Sequence, residues 1–445
     1  MPFAPNVRRG FFPLDEELQL LPGHLTPSVQ EGLAHLSTWL PFARAVTELR
    51  FFTHVTTTEP TVRRVTEAAG AAYVAVQTEE VERLERELPA PPQGPPLQLL
   101  SVDGAFVPLV HKEWAEVKTL VLGTVEPPVL DAKRGELVVH STALSYFSRL
   151  ADAETFGRLA LVETHRRGTE TAQRVCAVTD GAEWEQGFIG LHRSDATRIL
   201  DFGHSSGYVA AAGQAVLGEG TDATRDWLNA TLHELKHGQP DTVLLTLRDM
   251  HAEMSVRGAD AATATNTIQK SLAYLEKRRD HIEYARFQAL GYPIGSGSVE
   301  SANKLVVEAR LKGAGMHWAS EHVNPMLALR NIACSDRWEE AWPQITHRLR
   351  QQERAAHRDR HQKRQAKRLL AHCVEPPAIQ AVAPSSSCVP SAPGIVLSTM
   401  REAVPSPENI VSKKPYRPAA NHPWRHSPIG RARLKPSRRS GEAKL

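Results

Sequence analysis

Residues Pro89-Ala-Pro-Pro-Gln-Gly-Pro-Pro96 limit this chain more than any other feature of it. Proline fixes φ and lacks a backbone donor, so the stretch can be neither a helix interior nor a central strand. It predicts a stiff, extended linker. The apolar pattern also changes across it. Before it, apolar residues recur at helical spacing; beyond it, they alternate or run in short bursts, as strands do.

Residues 11–88 read as helical. Thr26-Pro27 is a helix start, a hydroxyl followed by proline in the first turn. Phe42, Val46 and Leu49 repeat at helical spacing, and Thr56-Thr57-Thr58 breaks the pattern. Pro60 opens a second short helix with Val62, Val65 and Ala69 on one face, Arg63 and Arg64 largely on the other, and Gly70 as its stop. Two short helices around a tight turn fit a helix-turn-helix, with Arg63 and Arg64 as DNA contacts; many helical hairpins show the same pattern. A further, acidic helix ends with Val81, Leu84 and Leu88 on one face and suits packing against a partner.

After the linker, residues 99–110, 117–125 and 136–144 read as three consecutive strands. A helix is expected over about 152–165, then short strands at 174–178 and 198–201. Residues 205–290 read as wholly helical, and Gly295-Ser-Gly297 breaks the chain before a helix starting near Ser298. Three strands followed by strands alternating with helices predict an α/β domain with a mixed sheet of ribonuclease-H type, over 97–204 and 291–345, carrying a helical insertion at 205–290.

The remaining chain separates by charge. Net charge is only +3 over 445 residues, but positions 348–368 read RLRQQERAAHRDRHQKRQAKR, and Lys413 to Lys444 is also strongly basic. Basic blocks of this kind suit a phosphate backbone or a solvated helix and tail. Residues 346–373 are expected to form a basic helix. Residues 374–445, rich in Pro, Ser and Ala, are expected to form a disordered basic tail. The four cysteines, Cys176, Cys334, Cys373 and Cys388, form no C-x-x-C pair, so reduced thiols are expected. The chain has no recognisable secretory signal and no apolar run of about 20 residues, which predicts a cytoplasmic protein without membrane association.

Asp103 and Asp180 each follow an apolar strand and precede glycine, and Glu300 falls in the first turn of the helix after Gly295-Ser-Gly297. A carboxylate at a buried strand end is costly unless it is paired or holds a metal. In an open sheet, ligands collect at the carboxyl ends of strands. Three carboxylates without a fixed cation suit hard divalent ions, Mg2+ above all, and two such ions about 3.5–4 Å apart can activate an attacking oxygen and stabilise the leaving oxygen of a phosphodiester. Asp-Gly is equally a hairpin-turn signal, and spacing alone slightly favours that reading.

The string GYPIGSGSVESANKLVVEARLKGAGMHW, from Gly291 to Trp318, resembles the third-carboxylate block of the Kra-type insertion-sequence transposases. VCAVTDGAEW, from Val175, resembles their second aspartate block, and LLSVDGAFVPLV, from Leu99, their first. FFPLDEELQLLPGHLTPSVQEGL near the start and KKPYRPAANHPWR near the end extend the resemblance over nearly the whole chain. It implies Asp103, Asp180 and Glu300 as a DDE triad holding two Mg2+, with Mn2+ as substitute. The intervals are 77 (180 − 103) and 120 (300 − 180) residues, the second long enough for a helical insertion. Asp201-Phe-Gly-His204 resembles a D-x-x-H element of such families, which implies a supporting role for Asp201 and His204; a strand end and a satisfied histidine is the other reading. Arg310 and Lys312 are expected to contact phosphate, and Trp318 to lie in the core. The chain departs from the pattern at Glu185 and Gly203, neither a catalytic position.

The resemblance implies an enzyme that binds terminal inverted repeats in double-stranded DNA, cuts strands and joins them to target DNA. It would act at the nucleoid, as a homodimer or larger when two ends are paired. One rival is a catalytically decayed copy that still binds ends and inhibits transposition. Another is a zinc metallopeptidase, because His233-Glu234-Leu-Lys-His237 matches H-E-x-x-H, with Glu253 as third ligand. Gly238 and Pro240, which end the helix at once, count against it.

Overall fold

The stretches Leu97–Val102 and Val117–Leu122, mostly apolar, need cover on both faces, and the fold supplies it: every residue in them is buried, Gln98, Ser101, Lys118 and Thr119 included. The computed structural model describes residues 20–372, apart from 22, 24, 133 and 134. The expected tail at 374–445 and the first residues of the expected 11–88 region lie outside the described residues. Three helices come first: α1 (Pro27–Trp39), α2 (Phe42–Thr53) and α3 (Glu59–Glu87). Then follow β1 (Leu97–Pro108), β2 (Trp114–Val125), the hairpin β3 (Val129–Asp131) with β4 (Glu136–Val138), and β5 (Ser141–Leu150). Helix α4 (Ala153–Arg166), β6 (Arg174–Thr179), α5 (Glu183–His192) and β7 (Thr197–Leu200) complete the sheet.

The five strands lie in the order β5-β2-β1-β6-β7. β1 with β2 and β2 with β5 are antiparallel; β1 with β6 and β6 with β7 are parallel. The protein is therefore α/β with a mixed sheet, as the strand order in the sequence implies. Alternate side chains serve opposite layers: Leu100, Val102, Leu120 and Leu122 pack on Phe156 and Ala160 of α4 and on Phe188 and Ile189 of α5. On the other face, Leu99, Cys176, Val178 and Ile199 meet the helical insertion, and Val107, Val117 and Val121 meet Val299, Val306 and Trp318. The insertion comprises α6 (Phe202–Leu217), α7 (Asp222–His237), α8 (Pro240–Val256), α9 (Ala262–Lys277) and α10 (Tyr284–Ala289). Then come α11 (Gly297–Ala302), a π-helical turn (Asn303–Glu308), α12 (Ala309–Leu311), α13 (Ser320–Cys334) and α14 (Trp338–His372). No helix among the described residues is long and apolar enough to cross a membrane, and Cys176 and Cys334 are free thiols.

Three expectations need correction. Gly70 does not stop a helix: α3 runs through it for 29 residues, joining the expected second and third helices into one. A Cβ at Gly70 would collide with the backbone carbonyl of Pro325 in α13, so glycine there permits close helix crossing, worth its helix-propensity cost of about 1 kcal/mol. The expected strand at 136–144 is two pieces, β4 in the hairpin and the start of β5 in the sheet. The proline-rich segment is extended but not a free tether. Pro95 and Pro96 carbonyls accept from Gln173 and Arg174, and the Gly94 N–H donates to Thr171 Oγ1 at 2.8 Å. Nor do the helices before it form a separate body: Ala69, Ala72 and Tyr73 share a core with Leu329, Ile332, Trp342 and Ile345.

The outer edge of β5 is covered by side chains of α13. Ser148 N–H donates to Asn331 Oδ1 at 3.0 Å, and Asn331 Nδ2 donates back to Ser148 O at 3.2 Å. Asn324 makes the same reciprocal pair with Leu150, and Ser335 Oγ accepts from Tyr146 N–H. Asn331 is only 1% exposed, so Asn331→Leu leaves the buried Ser148 N–H unpaired and its carbonyl with the Arg149 guanidinium alone. The expected loss of stability in urea unfolding is at least about 2 kcal/mol, and a loss within about 0.5 kcal/mol contradicts the role assigned to these pairs.

Candidate functional site

Parallel pairing of β1 with β6 runs from Leu97↔Arg174 to Leu100↔Ala177, an offset of 77 throughout (177 − 100 = 77). Asp103 and Asp180 share that offset, so both stand at one level, three residues past the last pair. Asp180 directly follows β6. Asp103 does not close its strand as the sequence reading has it: β1 continues to Pro108, paired with β2 alone, because β6 has already turned away. Gly181, at φ +84°, makes that turn.

Both aspartates line a cleft of about 360 Å3 together with Asp201, Gly203, His204, Ser296, Val299 and Glu300. Asp103 Oδ1 accepts from the Gly104 N–H at 2.7 Å, and Oδ2 from Asn303 Nδ2 at 2.9 Å. Burial raises the Asp103 carboxyl above its ordinary value, the charges of Asp180 and Glu300 push the same way, and the two donors oppose the rise. Asp180 Oδ1 accepts from the Ala182 N–H at 2.9 Å. Its carbonyl accepts from the Tyr274 hydroxyl, and Arg278 of the insertion donates to the Gly181 carbonyl at 2.7 Å while lying over the Tyr274 ring.

The third carboxylate beside the aspartates is Glu185, not Glu300. Oxygens of Asp103, Asp180 and Glu185 lie within 4.8 Å of one another. Glu185 is buried because it caps its own helix: its Oε2 accepts from Gly181 and Ala182 N–H, each at 3.0 Å. Burial pushes its carboxyl up to about 9, reinforced by the hydrogen bond and charge of Asp180. Glu300 stands on the cleft wall, exposed, its Oε1 accepting from Ser296 Oγ at 3.0 Å. Among the described residues, none of the four carboxylates forms an ion pair with a basic side chain. An all-oxygen, uncompensated donor set of this kind can hold a hard divalent cation.

Asp201 acts as a pin. Its Oδ2 caps α6 through the His204 N–H and its Oδ1 accepts from the Ser296 N–H, both at 2.6 Å, tying the end of β7 to the residue that precedes α11, the helix that carries Glu300. The His204 ring is exposed and stacks edge-on to Tyr208, which lies flat on Tyr274 at 3.9 Å. Asn303 opens the π-helical turn, a distortion often found at functional sites, and its buried Oδ1 has no partner among the described residues.

Other expected residues lie elsewhere. Arg310 is corrected: it is 2% exposed, its Nε donates to Ser37 O at 2.9 Å, and its guanidinium lies between the rings of Phe42 and Trp318. Burial draws it down to about 10, so it supports the core and does not reach a phosphate. Lys312 pairs with Glu308 at 2.7 Å, and Trp318 is buried as expected. Arg63 and Arg64 sit exposed on α3, Arg63 paired with Glu67 at 3.0 Å. His233 and His237 stack at 4.8 Å, but no third ligand gathers with them among the described residues, and Glu253 pairs with Arg257. The zinc-peptidase reading therefore lacks a site.

Tyr274 and Arg278 escaped the sequence reading, which met Glu185 only as a departure from the resemblance at a non-catalytic position. Only Glu185 left a signal, as an acidic residue in the first turn after Asp180-Gly181. The chain matches no known family model and no curated protein.

Glu185 sets a sign that can be measured. Between its ordinary value of 4.5 and about 9, the unfolded chain has released this proton and the folded chain has kept it, so rising pH favours unfolding. Glu185→Gln keeps the acceptor for both N–H groups and removes the titration. In chelator, the melting temperature of the wild type should fall relative to Glu185→Gln from pH 5 to 8.5; parallel profiles would contradict the assignment.

Proposed function

We propose that this chain belongs to the metal-dependent enzymes that cut and join polynucleotides on a ribonuclease-H-like sheet. Within that class, we read it as a DDE transposase of an insertion sequence, of the Kra type that its three carboxylate blocks resemble. The observation that carries the reading is the common level of Asp103 and Asp180 on adjacent parallel strands, with Glu300 on the wall of the same cleft. The strand order, with antiparallel β5-β2-β1 continued by parallel β6 and β7, is compatible with that fold.

In this reading Asp103, Asp180 and Glu300 hold the two Mg2+, and Mn2+ substitutes. When bound, the ions lower the pKa of the attacking water or 3′-hydroxyl and neutralise charge on the phosphate. The chain's own residues hold the ligands. Asn303 orients the Asp103 carboxylate, Ser296 and Asp201 hold the Glu300 loop, and Tyr274 with Arg278 fixes the Asp180-Gly181 turn. Glu185 caps its helix beside Asp180, and burial there favours the protonated form of its own carboxyl. The helices α2 and α3, with Arg63 and Arg64 exposed, would engage terminal repeats in double-stranded DNA, and pairing two ends needs at least a dimer. The crowding of Asp180 by Glu185 is the observation favouring the rival, an end-binding copy that no longer cuts.

Cleavage of a labelled duplex carrying the element's own end, in Mg2+ or Mn2+, tests this. Asp180→Ala and Glu300→Ala are each expected to reduce nicking at least 1000-fold while end binding stays within threefold, about the scale expected for loss of a required metal ligand. Glu185→Gln should retain nicking. Cleavage by Asp180→Ala at the wild-type rate would sink the assignment; end binding without cleavage by the wild type itself would favour the rival.

A further inference from the structure

The long helix α14 begins in the core and leaves it. Trp342 and Ile345 are buried, and Trp338 stacks on Trp342. From 351 to 366, every residue except His361 is exposed. Over that stretch the chain carries Arg354, Arg358, Arg360, Lys363 and Arg364 against Glu353 and Asp359, and its only apolar side chains are alanines. A helix polar on every side cannot owe its position to packing against an apolar partner face. Two intrahelical pairs, Arg360–Glu353 at 2.7 Å and Lys363–Asp359 at 2.9 Å, stabilise it locally. Arg358 and Arg364 form no ion pair among the described residues.

We propose that this exposed half of α14 is a duplex-DNA binding element that lies along a groove and contacts backbone phosphates without reading sequence. The distribution of charge around the axis favours this partner over a flat anionic surface. At about 100° per residue from Arg350, Arg354 falls near 40°, Arg358 near 80°, Lys363 near 220°, Arg360 near 280° and Arg364 near 320°. The cations thus cover more than half the circumference. A groove presents phosphates on two walls, and the major groove, about 12 Å wide, admits an α-helix. A membrane surface rewards cations on one face and bulky apolar residues on the other, which this helix lacks. At about 1.5 Å per residue the stretch rises about 24 Å, enough to follow several phosphates. The element does not include Arg63 and Arg64 and does not depend on the carboxylate cleft, so it holds for a cutting or a non-cutting protein.

The test is binding of the full-length protein to a 25-base-pair duplex of arbitrary sequence, by fluorescence anisotropy, at salt from 50 to 200 mM. Arg354→Gln, Arg358→Gln and Arg364→Gln combined should lower affinity at least tenfold near 0.1 M salt and flatten the slope of log K against log salt by about 2 to 3. The corresponding triple Lys variant should keep the wild-type slope. Unchanged helicity by circular dichroism and an unchanged melting temperature show that the Gln variant is folded. An unchanged slope and affinity for the Gln variant overturns the proposal. So does intact duplex binding together with lost binding to vesicles rich in anionic lipid, which would assign the helix to a membrane surface.

Discussion

The parallel register between β1 and β6 is the interaction on which the rest of the candidate site depends. Two carboxylates at one level on neighbouring strands repel, and burial makes that costlier. They stay together because the backbone around them supplies donors at Gly104 and Ala182, and Asn303 adds a third. The helical insertion stabilises the arrangement from outside. Tyr274 and Arg278 grip the carbonyls of Asp180 and Gly181, so the turn that aims Asp180 is held by residues nearly a hundred positions away. A divalent cation would enter a cluster whose geometry is already set and whose charge is not yet balanced.

The sheet and the cleft were legible for a simple reason. Strands covered on both faces leave continuous apolar runs, and a carboxylate directly after such a run stands out. Asp103 and Asp180 stand out in that way, Glu300 by its place after Gly295-Ser-Gly297, and the family resemblance joins the three, which all line one cleft. What was missed was missed for equally physical reasons. A glycine that ends a helix and one that lets two helices touch look the same along the chain, and only the Pro325 backbone tells them apart at Gly70. An arginine near a glutamate invites a phosphate, yet Arg310 is enclosed by the ring of Phe42 and the carbonyl of Ser37 from the first helices and by the ring of Trp318. Glu185 reads in the sequence only as a departure at a non-catalytic position, because nothing along the chain shows the two backbone donors and the retained proton that make a carboxylate pressed on an aspartate tolerable.

The proline-rich segment divides two patterns without dividing two bodies. Its carbonyls and Gly94 are stitched to the loop before β6, and the helices on its near side complete a core with α13 and α14. The first helices thereby pack against α13, whose side-chain amides are bonded to β5.

Those amides have one more consequence. A sheet grows by offering its outermost N–H and C=O groups to a newcomer, and at Ser148 and Leu150 both are already occupied by Asn331 and Asn324. The same residues that stabilise the fold act as a terminator of polymerisation: along this stretch of β5 there is no socket for a strand from a neighbouring chain. Crowded copies of the protein are thereby kept from fusing their sheets along this stretch into a fibre.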